Sequence, residues 1–144
     1  MSDPLAEALA ALPHGPEFRF VDRLLALDPG RGGVGEYTLR GDEPWLAGHF
    51  PGAPLLPGVL LVEAGAQLAG IVAQSAPDQT PGAPLRLTAL RRVKFPAPVH
   101  PGETVRLEAR LTARLGGLVQ AEVRARVAAR EVLHGEVVLS QAAA

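Results

Sequence analysis

Between Val105 and Leu115 the chain alternates. Val105, Leu107, Ala109, Leu111, Ala113 and Leu115 fall on one side, and Arg106, Glu108, Arg110, Thr112 and Arg114 on the other. A period of two predicts a strand with one buried and one wet face. Gly116-Gly117 then reads as a two-residue hairpin turn. Ala121, Val123, Ala125 and Val127 alternate with Glu122, Arg124 and Arg126, and a turn near Ala129-Arg130 leads to a third strand, Val132 to Ser140. With Leu85 to Phe95, these predict an antiparallel meander. Upstream, Phe18 to Leu27 is apolar and aromatic enough for a strand, Asp28-Pro29-Gly30 is a turn, and Gly33 to Arg40 is a weaker strand.

Two helices are expected. Asp3-Pro4 is a cap and first-turn pair, after which Leu5, Leu9 and Leu12 share one face before Pro13 stops the run. The second opens at Pro57-Gly58 and closes at Ser75-Ala76-Pro77. From Gly58 to Gln74 it is apolar nearly all round, which predicts burial, and at ~1.5 Å per residue it is roughly 25 Å long. A sheet with one apolar face can wrap such a helix, giving an α+β fold. One sheet leaves the helix's far side bare, so a second copy is expected to cover it, making at least a dimer.

Composition narrows the function. The chain has 144 residues, the size of one domain, and residues 1–144 carry no internal repeat or linker. Net charge is −1, so no global field favours nucleic acid or anionic membrane. Cysteine is absent, which rules out disulfides, a thiol nucleophile and thiolate metal ligands. His, Asp and Glu are not clustered at ligand spacing, so no metal or organic cofactor is expected. Met1 to Gly15 lacks a basic segment followed by a long apolar run, and Glu63 and Gln67 interrupt the longest apolar stretch. Neither a secretory signal nor a membrane span is therefore expected, and a cytoplasmic protein is the default.

The candidate chemistry lies between Trp45 and Gly70. His49 sits in a Gly-Pro-rich turn, and Glu63 is the one carboxylate in the apolar helix. A lone ionisable group in such a helix is costly to bury, so its presence points to acid–base work in an apolar cavity. Histidine suits proton abstraction. The N–H groups at the start of the helix suit a developing negative charge. Gly58 lets a ligand approach that backbone, and Pro57 has no N–H to compete. Apolar surroundings favour the acid form of Glu63, which can then deliver a proton.

With these residues in place, the chain resembles the 3-hydroxyacyl-acyl-carrier-protein dehydratases of the FabZ type. Leu12-Pro13-His14 and Phe20-Val21-Asp22-Arg23 are similar to the family's N-terminal signature. Gly48-His49-Phe50-Pro51-Gly52, then Pro57-Gly58-Val59 and Leu61-Val62-Glu63-Ala64, are similar to its central motif, with Gln67 one turn after the acid. Val93-Lys94-Phe95, Pro98-Val99 and Pro101-Gly102-Glu103 are similar to its third block. Gly15 stands where the family usually has arginine, Gly65 where it has methionine, and Leu85-Arg86-Leu87 where a gating aromatic is frequent.

The resemblance implies a hot-dog fold, a long central helix wrapped by an antiparallel sheet, and dehydration of 3-hydroxyacyl thioesters carried by an acyl carrier protein. It implies His49 and Glu63 as the catalytic pair, meeting across a dimer interface in a dimer or trimer of dimers. It further implies that the Leu55 carbonyl orients His49. The candidate substrate-contacting residues are Gly58, Val59, Phe50, Leu55 and Gln67, with Gln67 expected to orient Glu63. His14, His100 and His134 are expected to be structural or exposed. Arg91, Arg92 and Lys94, with Arg86, form the densest basic cluster and are candidates for docking the acidic carrier. Two other functions fit the pattern: a thioesterase on the same fold, which would release free thiol, and a non-catalytic acyl-binding module, which would bind without turnover.

Overall fold

A computed structural model describes residues 3–79 and 84–141. Helix α1 spans Pro4–Ala10, and the Asp3 side chain caps it by accepting from the Leu5 amide. Helix α2 spans Gly58–Gln74, the bounds expected from its proline and serine borders. Six strands follow in chain order as β1 (Arg23–Asp28), β2 (Gly32–Thr38), β3 (Leu85–Lys94), β4 (Thr104–Leu115), β5 (Leu118–Val127) and β6 (Arg130–Gln141). They form one antiparallel sheet in the order β1-β2-β4-β5-β6-β3.

The β4-β5-β6 meander is as the alternation predicts. Its neighbours are not consecutive. The β1-β2 hairpin joins at β4, whereas β3 crosses over to the far edge and pairs with β6. Strand β1 is also shorter than expected. Pro16–Phe18 is a 3-10 turn, and regular pairing begins only at Arg23. Alternation in β4 holds for Val105, Leu107 and Ala109, which are buried, but Ala113 and Leu115 are exposed past a register shift between Leu111 and Ala113. The expected loop from Asp78 to Pro84 lies partly outside the described residues.

Helix α2 packs against β2, β4, β5 and β6. Leu68, Val72, Leu107, Val123 and Leu133 are fully buried in this interface. Twelve of the 17 helix residues are buried. The cover expected from a second copy thus comes largely from the chain itself: Leu12, Phe20, Leu46 and Leu56 belong to the same buried cluster as the helix. Gln67 fastens this cover, because its Oε1 accepts from the Phe20 amide (2.8 Å) and its Nε2 donates to the Phe18 carbonyl (2.8 Å).

Apolar surface is left exposed at the start of α2 and along the sheet edge. Phe50, Val59, Leu87, Leu90 and Phe95 are all exposed, with Val59 76% accessible. Three of them sit on or just after β3, the open edge of the sheet. Near its end β3 bulges at Arg92, where φ is +53° and the register with β6 shifts between Arg91 and Lys94. Gly135 of β6 lies against the bulge, and a side chain there would come within 2.9 Å of the Val93 Cα. Beyond it, the Phe95 ring reaches the start of α2 and fills the space beside Gly58, 3.1 Å from where a Cβ would stand.

Candidate active site

His49 ends a short 3-10 turn, Leu46–Gly48, that is anchored from below. The Leu46 amide donates to the Glu43 carbonyl (3.0 Å), and the His49 amide donates to the Leu46 carbonyl (3.0 Å). Glu43 is only 6% exposed. Its carboxylate accepts from the Tyr37 hydroxyl (2.8 Å) and from the Arg40 and Gly41 amides (3.0 and 2.8 Å). Burial alone would push this carboxyl up, but the Gly41 amide, the Tyr37 hydroxyl and the Arg40 amide outweigh it and hold Glu43 below its ordinary range. Burial, then the Glu43 carboxylate, pushes the Tyr37 hydroxyl well up, so it remains a donor.

The imidazole is oriented in turn. His49 Nδ1 lies 2.9 Å from the Leu55 carbonyl, and the Leu55 amide returns a bond to the His49 carbonyl (2.7 Å). A carbonyl only accepts, so Nδ1 carries a proton and Nε2 is the ring nitrogen left outside this bond. The exposed Phe50 stacks on this ring with centroids 4.4 Å apart.

Nearby, α2 begins without a side-chain cap. Leu60 and Leu61 are the first amides to bond back to Pro57, which leaves the Gly58 and Val59 N–H groups ahead of the helical ladder. The open space expected beside Gly58 is taken on its Cβ side by Phe95.

Glu63 occupies a separate environment. Gln67 Nε2 donates to its Oε2 (3.1 Å), and the His14 Nε2 lies 3.5 Å from the same oxygen. Gln67 thus orients the acid, as its spacing suggests. His14, expected to be structural or exposed, faces the carboxylate. Arg19 clamps its segment by donating to the His14 and Leu12 carbonyls (2.7 and 2.8 Å), and Phe18 stacks on its ring. The His14 Nδ1 is buried with no partner among the described residues. Spacing along the chain could not place His14; the Leu-Pro-His signature was the available signal.

Glu63, Ala66, Gln67, Gly70 and Gln74 form one wall of a cavity of about 460 Å³. Leu12 and His14 close it on one side, and Leu85, Leu87 and Leu139 on another. His49 does not line this cavity, and no hydrogen bond or ion pair joins it to Glu63 within the chain. The two groups expected to converge are therefore each well positioned but not brought together by one protomer. Arg91, Arg92 and Lys94 are exposed on β3, and none forms an ion pair among the described residues. Among the described residues no group of three His, Asp or Glu side chains could hold a metal ion, and no helix is long and apolar enough to cross a membrane.

The chain is similar to proteins named as dehydratases along nearly its whole length. A protein named 3-hydroxyacyl-[acyl-carrier-protein] dehydratase FabZ from Roseiflexus sp. (strain RS-1) is 38% identical over 136 residues, 94% of each chain. Its namesake from Geotalea uraniireducens is 44% identical over 103 residues, 71% of each. Among solved structures, the dehydratase heterocomplex ApeI:P from Xenorhabdus doucetiae has a TM-score of 0.82 at 16% identity, covering 99% of this chain and 93% of that one. That likeness places the fold as a hot-dog. A family described as FabA-like domain matches residues 12–136, and with relatives of this identity and coverage the chain belongs to that family.

Proposed function

We propose that this protein removes water from 3-hydroxyacyl thioesters carried on an acyl carrier protein, giving trans-2-enoyl thioesters in fatty-acid or related acyl-chain synthesis. The observation that carries the reading is Glu63: a carboxylate oriented by Gln67 at the mouth of an apolar cavity, on a chain whose relatives are named dehydratases.

In this mechanism His49 Nε2 takes the proton from C2. The Gly58 and Val59 N–H groups stabilise the thioester oxygen as charge builds on it. Glu63 gives a proton to the C3 hydroxyl, which leaves as water. Passing the proton from His49 to Glu63 then resets the site. His14, stacked on Phe18 and facing Glu63, holds that carboxyl in place between turnovers.

The two halves need a second copy. His49 and Glu63 do not meet within one chain, and the exposed edge of β3 with Leu87, Leu90 and Phe95 is the surface best suited to pair with its counterpart. The active unit is then a homodimer with composite sites, from which a hexamer can be built as a trimer of dimers. Residues 1–144 act as one domain, working in the cytoplasm. Phe50 and Leu55 border the substrate, and the basic residues Arg91, Arg92 and Lys94 guide the acidic carrier.

Mass spectrometry of carrier-bound 3-hydroxyacyl chains tests the reaction. Loss of one water is expected from the wild-type protein and not from Glu63→Gln. Release of free thiol would point instead to a thioesterase, and tight binding without turnover to a carrier of acyl groups.

A further inference from the structure

The cavity beside Glu63 follows one stripe of α2. Glu63, Ala66, Gly70 and Gln74 all face it, at offsets that return to the same side of a helix. Gln74 stands roughly 16 Å beyond Glu63 along the axis, at about 1.5 Å per residue. Between them the wall is mostly apolar, with Ala66 and Gly70 from the helix and Leu85, Leu87 and Leu139 from the sheet; Gln67 and Arg86 are its polar members. Gly70 keeps the passage wide: the atom nearest to a side chain placed there would be the Leu139 Cδ1, 4.0 Å away.

Two amides line this corridor. Gln67 is committed to Phe18, Phe20 and Glu63. Gln74, in the last turn of the helix and 9% exposed, lines the far end.

We propose that Gln74 sets the upper length limit for the acyl chain, accepting saturated chains that stop short of it and rejecting those that reach it. The inference rests on the dehydratase reading of Glu63, which fixes C3 of the substrate at the near end. With carbon–carbon bonds of about 1.5 Å an extended chain advances about 1.3 Å per carbon, so about twelve carbons beyond C3 span the corridor. A chain of roughly 16 carbons then touches Gln74, whereas one of roughly 10 does not. Contact strips water from an amide with two donors and an acceptor, and a terminal methyl offers no hydrogen bond in return.

The test compares the wild-type protein, Gln74→Leu and Gly70→Val on 3-hydroxyacyl coenzyme A thioesters of 10 and 16 carbons. In Gln74→Leu the ratio of kcat/KM for the longer over the shorter chain should rise about tenfold. In Gly70→Val it should fall by a similar factor, because the new side chain blocks the corridor about 10 Å from Glu63. Calorimetric Kd ratios for the saturated 10- and 16-carbon thioesters should move the same way without any turnover. Unchanged ratios in Gln74→Leu overturn the length rule, and unchanged ratios in Gly70→Val show that the chain does not run along this face. If neither length is dehydrated, the assigned reaction fails, and the Kd ratios alone decide the role of Gln74.

Discussion

The Leu55 carbonyl lies 2.9 Å from Nδ1 of His49 and leaves Nε2 of that ring as its basic nitrogen. The Leu55 amide bonds back to the His49 carbonyl, so the seven residues from His49 to Leu55 close on themselves around the ring. A side chain held this way is set up to take a proton from one direction only. His49→Ala should therefore lower kcat/KM by about 10²–10⁴-fold while leaving the unfolding midpoint near wild type. Wild-type turnover in a pure preparation would remove His49 from the mechanism.

Glu43 links that turn to the sheet. Replacing it with leucine leaves the Tyr37 hydroxyl and two backbone amides without their acceptor. We expect a loss of about 2–4 kcal/mol in urea unfolding, against about 1 kcal/mol for Tyr37→Phe, which removes a single bond. Equal losses in the two variants would mean that the backbone amides contribute nothing.

Gln67 makes two bonds across the interface between α2 and the Phe18–Phe20 segment and a third to Glu63 within the helix. Gln67→Leu should cost about 2–3 kcal/mol, because the Phe20 amide and the Phe18 carbonyl lose their partner. It should also reduce kcat by freeing the Glu63 carboxyl to rotate. A stability loss with kcat untouched would confine Gln67 to a packing role.

Acid stability has an identifiable contributor in Glu103. The Arg130 guanidinium, then the His100 amide, hold its carboxyl at about 2, below its ordinary 4.5. The unfolded chain takes up this proton more readily than the folded one, so the pair's contribution is complete above about pH 4.5 and is lost as pH falls towards 2. Because Arg130 is 42% exposed, solvent screening reduces the effect to about 1 kcal/mol. Urea midpoints measured from pH 6 to pH 2 should fall less steeply for Glu103→Gln than for wild type. Parallel curves would assign the acid sensitivity to other groups.

Pairing of two protomers through β3 can be checked by sedimentation. Leu90→Arg places a charge on the exposed edge strand, and it should shift the wild-type assembly towards monomer with a matching fall in turnover. A monomeric variant with full activity would show that one chain suffices.

Much of this architecture was legible in the residue pattern, for reasons local to each element. Pro57 and Ser75 border α2, and nothing inside it breaks the helix, so its span could be read directly. Strand β5, and β4 as far as Ala109, follow their alternation because one face meets α2 and the other meets water, whereas β6 buries neighbouring residues at Val132-Leu133 and Val137–Leu139. Phe18 to Asp22 misled because the side chain of Gln67, nearly fifty residues away, occupies the backbone groups of Phe18 and Phe20. Strand β3 carries no alternation, being exposed along most of both faces, and its pairing with β6 is a long-range event. His49, Leu55 and the Glu63–Gln67 pair were readable from the motif, whereas the approach of His14 to Glu63 depends on the Arg19 clamp.

The bulge at Arg92 has a consequence well away from β3. Any residue larger than glycine at position 135 would press on the Val93 backbone and lever the strand outward. Phe95, a few residues further on, would then swing off the doorstep of α2. An innocuous-looking spot on β6 thereby controls how snugly the helix entrance is shuttered, and alanine there would loosen the entrance without touching a single reacting group.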